Sequence, residues 1–328
     1  MNVFSAFGGL EVGLLALKEL GIPVENYYSS EINKWALAIS RYNFPDIINL
    51  GDIQEVKPDL QIDLLLGGSP CQQISKAGNQ AGVIVNSLEE YLELKNKDYD
   101  FGTNQSVLFW EYIRLLRELK PKYFLLENVK MSKENLEIFN NELGVKGVNI
   151  NSSLVSGQNR PRIYWSNFPI TQPVDKGVLL RDVILDDAEP IMFSNIYGGF
   201  KESTPRVHED KSVTIRTAKG GGHIPSLLLS EKAKVYMSRL RSGSLHSKLT
   251  ANMFKGVPYG VIKELMRRIH PIEAERLQTF SDDWTRYGLI GTDVVEISAT
   301  QRYSVIGNSW TKDVIKHILG EMWKQEIG

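Results

Sequence analysis

The sequence predicts an α/β fold: a parallel, doubly wound sheet that carries a ligand edge, followed by a smaller β-rich region. Three observations lead there. Short apolar runs alternate with stretches of helical spacing over the first 170 or so residues. Several of those runs end in glycines or in an acidic residue. The alternation then breaks down after about Pro169, where loops rich in Gly, Ser and Thr take over.

NVFSAF (2–7) reads as a strand running into Gly8-Gly9, and LEVGLLALKELG as a helix that stops at Gly21. VENYYSSE (24–31) is a second strand, and NKWALAISRYNF (33–44) a helix stopped by Pro45. INLGDI (48–53) and IDLLLGG (62–68) are further strands, the latter of the fully buried type. SVLFWEYIRLLRELK (106–120) is strongly amphipathic, KYFLLENV (122–129) follows as a strand, and 132–144 is helical again. Helical character returns at 269–280 and 311–325. Ligands of open α/β sheets bind beyond the carboxyl ends of the strands. Here those ends bring together Phe7-Gly8-Gly9, Glu31, Asp52, Gly67 to Cys71, and Glu127-Asn128.

Composition narrows the class. The chain has 328 residues, 42% of them hydrophobic and 23% charged, which suits one large or two ordinary globular domains. A single cysteine, Cys71, excludes an internal disulfide and a cysteine-built zinc site, and no metal is expected. The N-terminus lacks a secretory pattern and no apolar run approaches a membrane span, so a cytoplasmic protein with no membrane partner is expected. Net charge is −1, but 201–270 holds 14 Lys and Arg against five acids. That asymmetry fits a nucleic-acid face, or equally a solvated basic surface with no partner.

Glycine at a strand-to-helix turn, with an acid about 20 residues on, suits a nucleoside cofactor whose ribose hydroxyls the acid accepts. FGGLEVG is not a clean GxGxxG, and there is no GxxxxGK[ST] for a nucleotide triphosphate. A lone cysteine is ordinarily a small buried apolar residue. Cys71, however, follows an apolar strand, two glycines and a proline, at the ligand edge. All five histidines lie downstream of residue 207, so a Cys-dependent hydrolase lacks a base nearby in sequence. Thiolate addition to a ring needs instead an acid that activates the ring, and Glu127 is placed for that. In VSGQNRPRIYW (155–165), Arg160 and Arg162 stand at i and i+2 of an extended segment and point the same way.

These residues together resemble the DNA cytosine-5 methyltransferase family. Its motifs occur in order as Phe7-Gly8-Gly9, Glu31, Gly51-Asp52, Pro70-Cys71-Gln72, Glu127-Asn128-Val129, Gln158-x-Arg160-x-Arg162, Glu273-x-x-Arg276-Leu277-Gln278 and Gly307-Asn308-Ser309. FGGLEVGLLALKELGI, GGSPC and GNSWTKDVIKHI look most like the vertebrate de novo enzymes, whereas the long region before 269 looks bacterial or phage. The resemblance implies a Rossmann-like S-adenosylmethionine-dependent methyltransferase sheet with a β-rich target-recognition domain. It implies catalytic residues 1–185 and 269–328, with 186–268 the recognition domain. Cys71 would be the nucleophile, Glu127 would hydrogen-bond the cytosine, Arg162 would hold the base oxygen, and Arg160 would brace the site. Phe7, Gly9, Glu31, Ile32, Asp52, Ile53, Pro70, Asn308 and Ser309 would bind S-adenosyl-L-methionine, with S-adenosyl-L-homocysteine the product. Gln72, Ser75, Arg216, Lys219 and Gly221 would contact double-stranded DNA. A monomer is implied, acting alone, in a phage, or beside a restriction endonuclease.

Three departures stand out. Glu11 occupies the position of a second glycine in many members, and Ile74 replaces the usual residue of PCQxFS. The stretch 76–105 is long, and the acidic run 88–100 reads as a helical insert that reshapes lid closure or DNA entry. The same chemistry on RNA and an inert DNA-binding relative are the competing readings. The first lacks its Cys-Phe-Thr signature, and the second leaves Cys71, Glu127 and Arg162 unexplained.

Overall fold

The computed structural model describes residues 1–57, 59–70, 85–101, 107–194, 206–217, 224–230 and 266–327. A seven-stranded sheet forms the centre, in the order β3-β2-β1-β4-β5-β7-β6. Its strands are β1 (Asn2–Ala6), β2 (Asn26–Ser30), β3 (Ile48–Asn49), β4 (Leu64–Gly68), β5 (Tyr123–Asn128), β6 (Val148–Asn151) and β7 (Pro161–Ser166). β1 to β5 run parallel, as their apolar, β-branched and aromatic residues between helices suggest. β7 runs antiparallel to β5 and to β6, a departure from the purely parallel expectation. The reversal is functional in its effect. A strand that enters from the ligand edge delivers its first residues there, so Arg160 and Arg162 reach the same edge as Glu127 at the end of β5.

Helices cover both faces. α1 (Val12–Glu19) and α8 (Lys312–Ile327) pack on one side in a core that includes Leu14, Leu17, Ile315 and Leu319. α4 (Leu108–Leu119) and α5 (Lys133–Leu143) pack on the other with Phe109 stacked on Phe139. α2 (Lys34–Asn43) starts at Asn33, whose side chain accepts from the backbone of Trp35 and Ala36.

The acidic insert is helical over α3 (Leu88–Asn96) and is fastened to α4. Tyr91 is buried and donates to Glu111, a fully buried carboxylate that also pairs with Lys95 at 2.5 Å and Arg114 at 2.7 Å. Arg114 in turn donates to the carbonyls of Ile53 and Val56, and Lys95 to that of Gln54. The insert therefore braces the turn that carries Asp52 and Ile53.

A second, antiparallel sheet of order β11-β10-β8-β9 consists of β8 (Ala188–Ser194), β9 (Arg206–His208), β10 (Ser226–Leu229) and β11 (Met266–Arg268). Met192, Leu227 and Ile215 pack against α6 (Pro271–Leu277) and α7 (Ala299–Asn308). Between those helices lies a hairpin of β12 (Tyr287–Ile290) and β13 (Asp293–Glu296). The sequence reading missed α7 and the hairpin. α7 carries Thr, Tyr, Ser, Val and Gly, residues of weak helical preference, and tertiary packing of Val305 and Ile306 decides the matter.

Candidate active site

The carboxyl ends of β1, β2, β4 and β5 open into a cavity of about 510 Å³, within the range of small-molecule sites. Its two halves differ in chemistry.

One half is built by the first two strand ends. Phe7 and Gly9 have left-handed backbones, and the Gly9 N–H donates to Glu31 Oε2 at 2.9 Å. Glu31 Oε1 accepts from the backbone of Ile32 (2.8 Å) and Asn33 (2.6 Å). Three donors fix this carboxylate and leave lone-pair capacity facing the cavity. Ile32 is 72% exposed there, an apolar side chain with little protein cover. Asp52 caps the short turn after β3 by accepting from Gln54 N, and Ile53 lies beneath it.

The other half holds the ionic groups. Glu127 Oε1 pairs with Arg162 Nε at 2.9 Å, and Glu127 Oε2 accepts from the indole N–H of Trp310 at 3.0 Å. Asn128 is buried and donates to the hydroxyl of Ser69 at 2.9 Å, tying the end of β5 to the turn that leads into Pro70. Arg160 is 3% exposed. Its guanidinium donates to the carbonyls of Ile215 (3.1 Å), Gly307 (3.2 Å) and Ser309 (2.8 Å). It thus joins β7, α7 and the segment below the second sheet.

The glycine pair before Ser69 has a steric reason. A Cβ on Gly67 would lie 2.6 Å from the ring of Tyr112, and one on Gly68 would lie 2.8 Å from Trp310 Nε1. The two glycines make room for rings on opposite faces of β4. Gly307 is equally constrained, since its Cβ would come within 2.4 Å of the Arg216 backbone.

A model of the family described as C-5 cytosine-specific DNA methylase matches residues 1–324. The chain belongs to this family. It is an S-adenosylmethionine-dependent DNA (cytosine-5-)-methyltransferase. It is 27% identical to the type II methyltransferase M1.ScrFI of Lactococcus lactis subsp. cremoris, over 98% of this chain and 77% of that protein. It is 25% identical to the type II methyltransferase M.HhaI of Haemophilus parahaemolyticus, over 97% of this chain and 92% of that one. Its fold is similar to that of a Spodoptera frugiperda DNMT2 mutant, with a TM-score of 0.65 at 20% identity over 98% of this chain and 99% of the other.

The methyltransferase's cavity fits the cofactor's chemistry. Glycine backbone, a positioned carboxylate and an exposed aliphatic side chain line one half, as an adenosine moiety requires. Every residue expected to bind the cofactor lines this cavity: Phe7, Gly9, Glu31 and Ile32 on one side, Asp52 and Ile53 on another, with Pro70, Asn308 and Ser309 closing it. Glu127, Arg160 and Arg162 line it too. Of the remaining expected residues, Arg216 is exposed beside Gly307. Cys71, Gln72, Ser75, Lys219 and Gly221 lie outside the described residues. Sequence reasoning missed Trp310 as a partner of Glu127. The signal was an indole directly after Gly307-Asn308-Ser309, since a buried Trp N–H ordinarily needs an acceptor.

Part of the basic charge in 201–270 is internal to the methyltransferase. Lys211 donates to the carbonyls of Ser153, Ser156 and Val178, and Arg267 pairs with Asp187 (2.6 Å) and Glu273 (2.7 Å). Charge counting alone treats both as surface. Among the described residues no helix is long and apolar enough to cross a membrane.

Two outcomes follow from buried charge here. Arg160→Met removes the donor that three carbonyls share, of which that of Ser309 keeps another, from Gln278, and is expected to lower unfolding stability by about 3 kcal/mol. Urea denaturation checks it, and a loss below about 1 kcal/mol would contradict the bracing role. Glu11 sits buried below the Gly8 turn and accepts from Ser29. Burial pushes its carboxyl up from 4.5 to about 7; the Ser29 bond offsets part of this, and the charge of Glu31 adds to it. The folded state then holds a proton that the unfolded state has released between those values. This contribution to stability is complete below pH 4.5 and lost as pH rises through 7. Glu11→Gln is expected to be more stable than the native protein by roughly 3 kcal/mol above pH 7, and equal to it below the unfolded value. Parallel curves across the pH range would refute this.

Proposed function

We propose that this methyltransferase acts on a cytosine flipped out of a specific double-stranded DNA sequence, through a covalent bond between Cys71 and C6 of the base. The pairing of Glu127 with Arg162 on the cavity wall next to Pro70 supports this most directly. It sets a carboxylate and a guanidinium side by side, the two groups needed at neighbouring positions on the Watson–Crick edge of a cytosine. Cys71 is the next residue after Pro70.

Cytosine C5 is a poor nucleophile. Addition of the Cys71 thiolate to C6 forms the S–C6 bond and pushes electrons toward N3 and C5. One Glu127 oxygen accepts from the exocyclic amine, and the other shares a proton with N3 that takes up the charge as it develops there. Arg162 holds the O2 edge, and its charge favours the thiolate over the thiol. Arg160 keeps the segment carrying Arg162 fixed to the turn at 307–309. S-adenosylmethionine, when bound, supplies an electrophilic methyl group. Once C5 carries it, loss of the C5 proton breaks the S–C6 bond and frees Cys71. The attacked atom is hidden in a duplex, so the base must leave the stack.

We assign Phe7, Gly9, Glu31, Ile32, Asp52, Ile53, Pro70, Asn308 and Ser309 to the cofactor, and Gln72, Ser75, Arg216, Lys219 and Gly221 to DNA. The second sheet belongs to a recognition domain over 186–268, inserted between catalytic segments 1–185 and 269–328. The enzyme works as a cytoplasmic monomer, alone or beside a cognate endonuclease.

The test begins with expression in a host lacking cytosine-5 methylation and base-resolution sequencing of its DNA, which gives the target. A duplex carrying 5-fluorocytosine at that target cannot lose a C5 proton, so the bond to the enzyme persists. Peptide mapping should find that bond on Cys71. Turnover on the ordinary duplex with no trapped species would end the covalent reading.

A further inference from the structure

The carboxylate of Glu127 is held by two donors, and only one of them belongs to the arginine motif. The second is Trp310, whose indole Nε1 donates to Glu127 Oε2 at 3.0 Å while Arg162 Nε holds Oε1 at 2.9 Å. Glu127 and Gly68 are cross-strand partners in the β4–β5 ladder, so their side chains share a face. The missing side chain of Gly68 is the space the indole enters. A Cβ there would sit 2.8 Å from Trp310 Nε1 and 3.3 Å from Glu127 Oε2.

Trp310 is itself fixed on both sides. Before it, the Ser309 carbonyl accepts from Arg160 at 2.8 Å. After it, the Thr311 hydroxyl bonds Gln278 Oε1 at 2.7 Å and Ser152 at 2.8 Å, and Lys312 N bonds the Gln278 carbonyl at 3.0 Å. A half-buried indole between two anchored residues is a rigid donor.

We propose that Trp310 is a positioning residue for methyl transfer: its N–H sets the plane of the Glu127 carboxylate. The terminal torsion of a glutamate is soft and broad, so one donor alone leaves the plane free to turn. Two donors on two oxygens fix it and leave one oxygen to accept from the exocyclic amine and the other to share a proton with N3. Misalignment of a reacting partner by a small angle is costly to rate and nearly free for binding. The proposal rests on Glu127 being the group that contacts the cytosine.

Trp310→Phe keeps an aromatic ring beside Gly68 and removes the donor. Expected is a fall of about ten-fold or more in the single-turnover constant for methyl transfer. Dissociation constants for S-adenosylmethionine and for target DNA should stay within about two-fold. A native single-turnover constant, or a loss confined to the dissociation constants, overturns the proposal. Glu127→Gln, measured alongside, separates the two readings. If it turns over at the native rate, the assignment of Glu127 has failed; if it collapses while Trp310→Phe is native, only the role of Trp310 has. Should Trp310→Phe fail to fold, Trp310→Leu decides, because it removes the N–H without adding an atom beside Glu127. It should show the same loss of rate with retained binding, and native rates overturn the proposal.

Discussion

Cys71→Ala is expected to bind cofactor and target DNA as the native protein does and to lose methyl transfer by on the order of 10⁴-fold or more. In the proposed mechanism the variant lacks the step that makes C5 reactive, and neither Glu127 nor Arg162 can substitute for it. Their proposed role is to stabilise charge on a ring that has already been attacked. Were Cys71 only a small apolar residue in a turn, alanine would cost little and turnover would persist. Incorporation of labelled methyl groups into a target duplex, with binding followed separately by fluorescence anisotropy, distinguishes the cases. Turnover by Cys71→Ala within ten-fold of native would remove the thiol from the mechanism.

The second large effect is expected at Glu127. Glutamine keeps the size and one acceptor oxygen but loses the charge, and its amide nitrogen then faces either Arg162 or Trp310. Both are donors, at 2.9 Å and 3.0 Å in the native protein. A donor set against a donor is a repulsive contact, so the side chain must turn away from its native plane. The loss of a charge-stabilising group at the reacting ring costs about 10²–10³ in rate. We expect Glu127→Gln to lower the single-turnover constant by that factor. The 5-fluorocytosine adduct should form correspondingly slowly. Rapid trapping with slow release would instead place Glu127 in the later, proton-removal stage.

Much of this site was readable before the fold was known, because its parts lie at strand ends. Glycine runs, Glu31, Asp52 and Glu127 each close an apolar strand, and strand ends converge in an open sheet. Strand direction was not readable: nothing in PRIYWS distinguishes parallel from antiparallel pairing. Nor could spacing separate Arg160 from Arg162. Both stand in one extended segment, yet one is buried against three carbonyls and the other faces a carboxylate. Such differences depend on residues far away in sequence, here Ile215, Gly307 and Ser309. Trp310 and Glu127 are 183 positions apart, and no local pattern links them. Charge counting misses these two cations for a related reason, since Lys211 and Arg267 look like surface cations until their carbonyl and carboxylate partners are placed.

The joining of β7 to the turn at 307–309 has a consequence for when the enzyme can first act. Glu31, Asp52 and Glu127 leave the ribosome before Arg160, but the carbonyls that accept from Arg160 and the indole that holds Glu127 come from residues 307–310. At about 5–20 residues per second, those arrive roughly 7–30 s after Arg162. Until then Arg160 lacks two of its acceptors and the pocket lacks a wall. A nascent chain at that stage is expected to carry Glu31, Asp52 and Glu127 and still modify no base. Activity is therefore expected to wait for residues 307–310, so that a partly made chain ending after β7 is not a weakly active, poorly selective precursor.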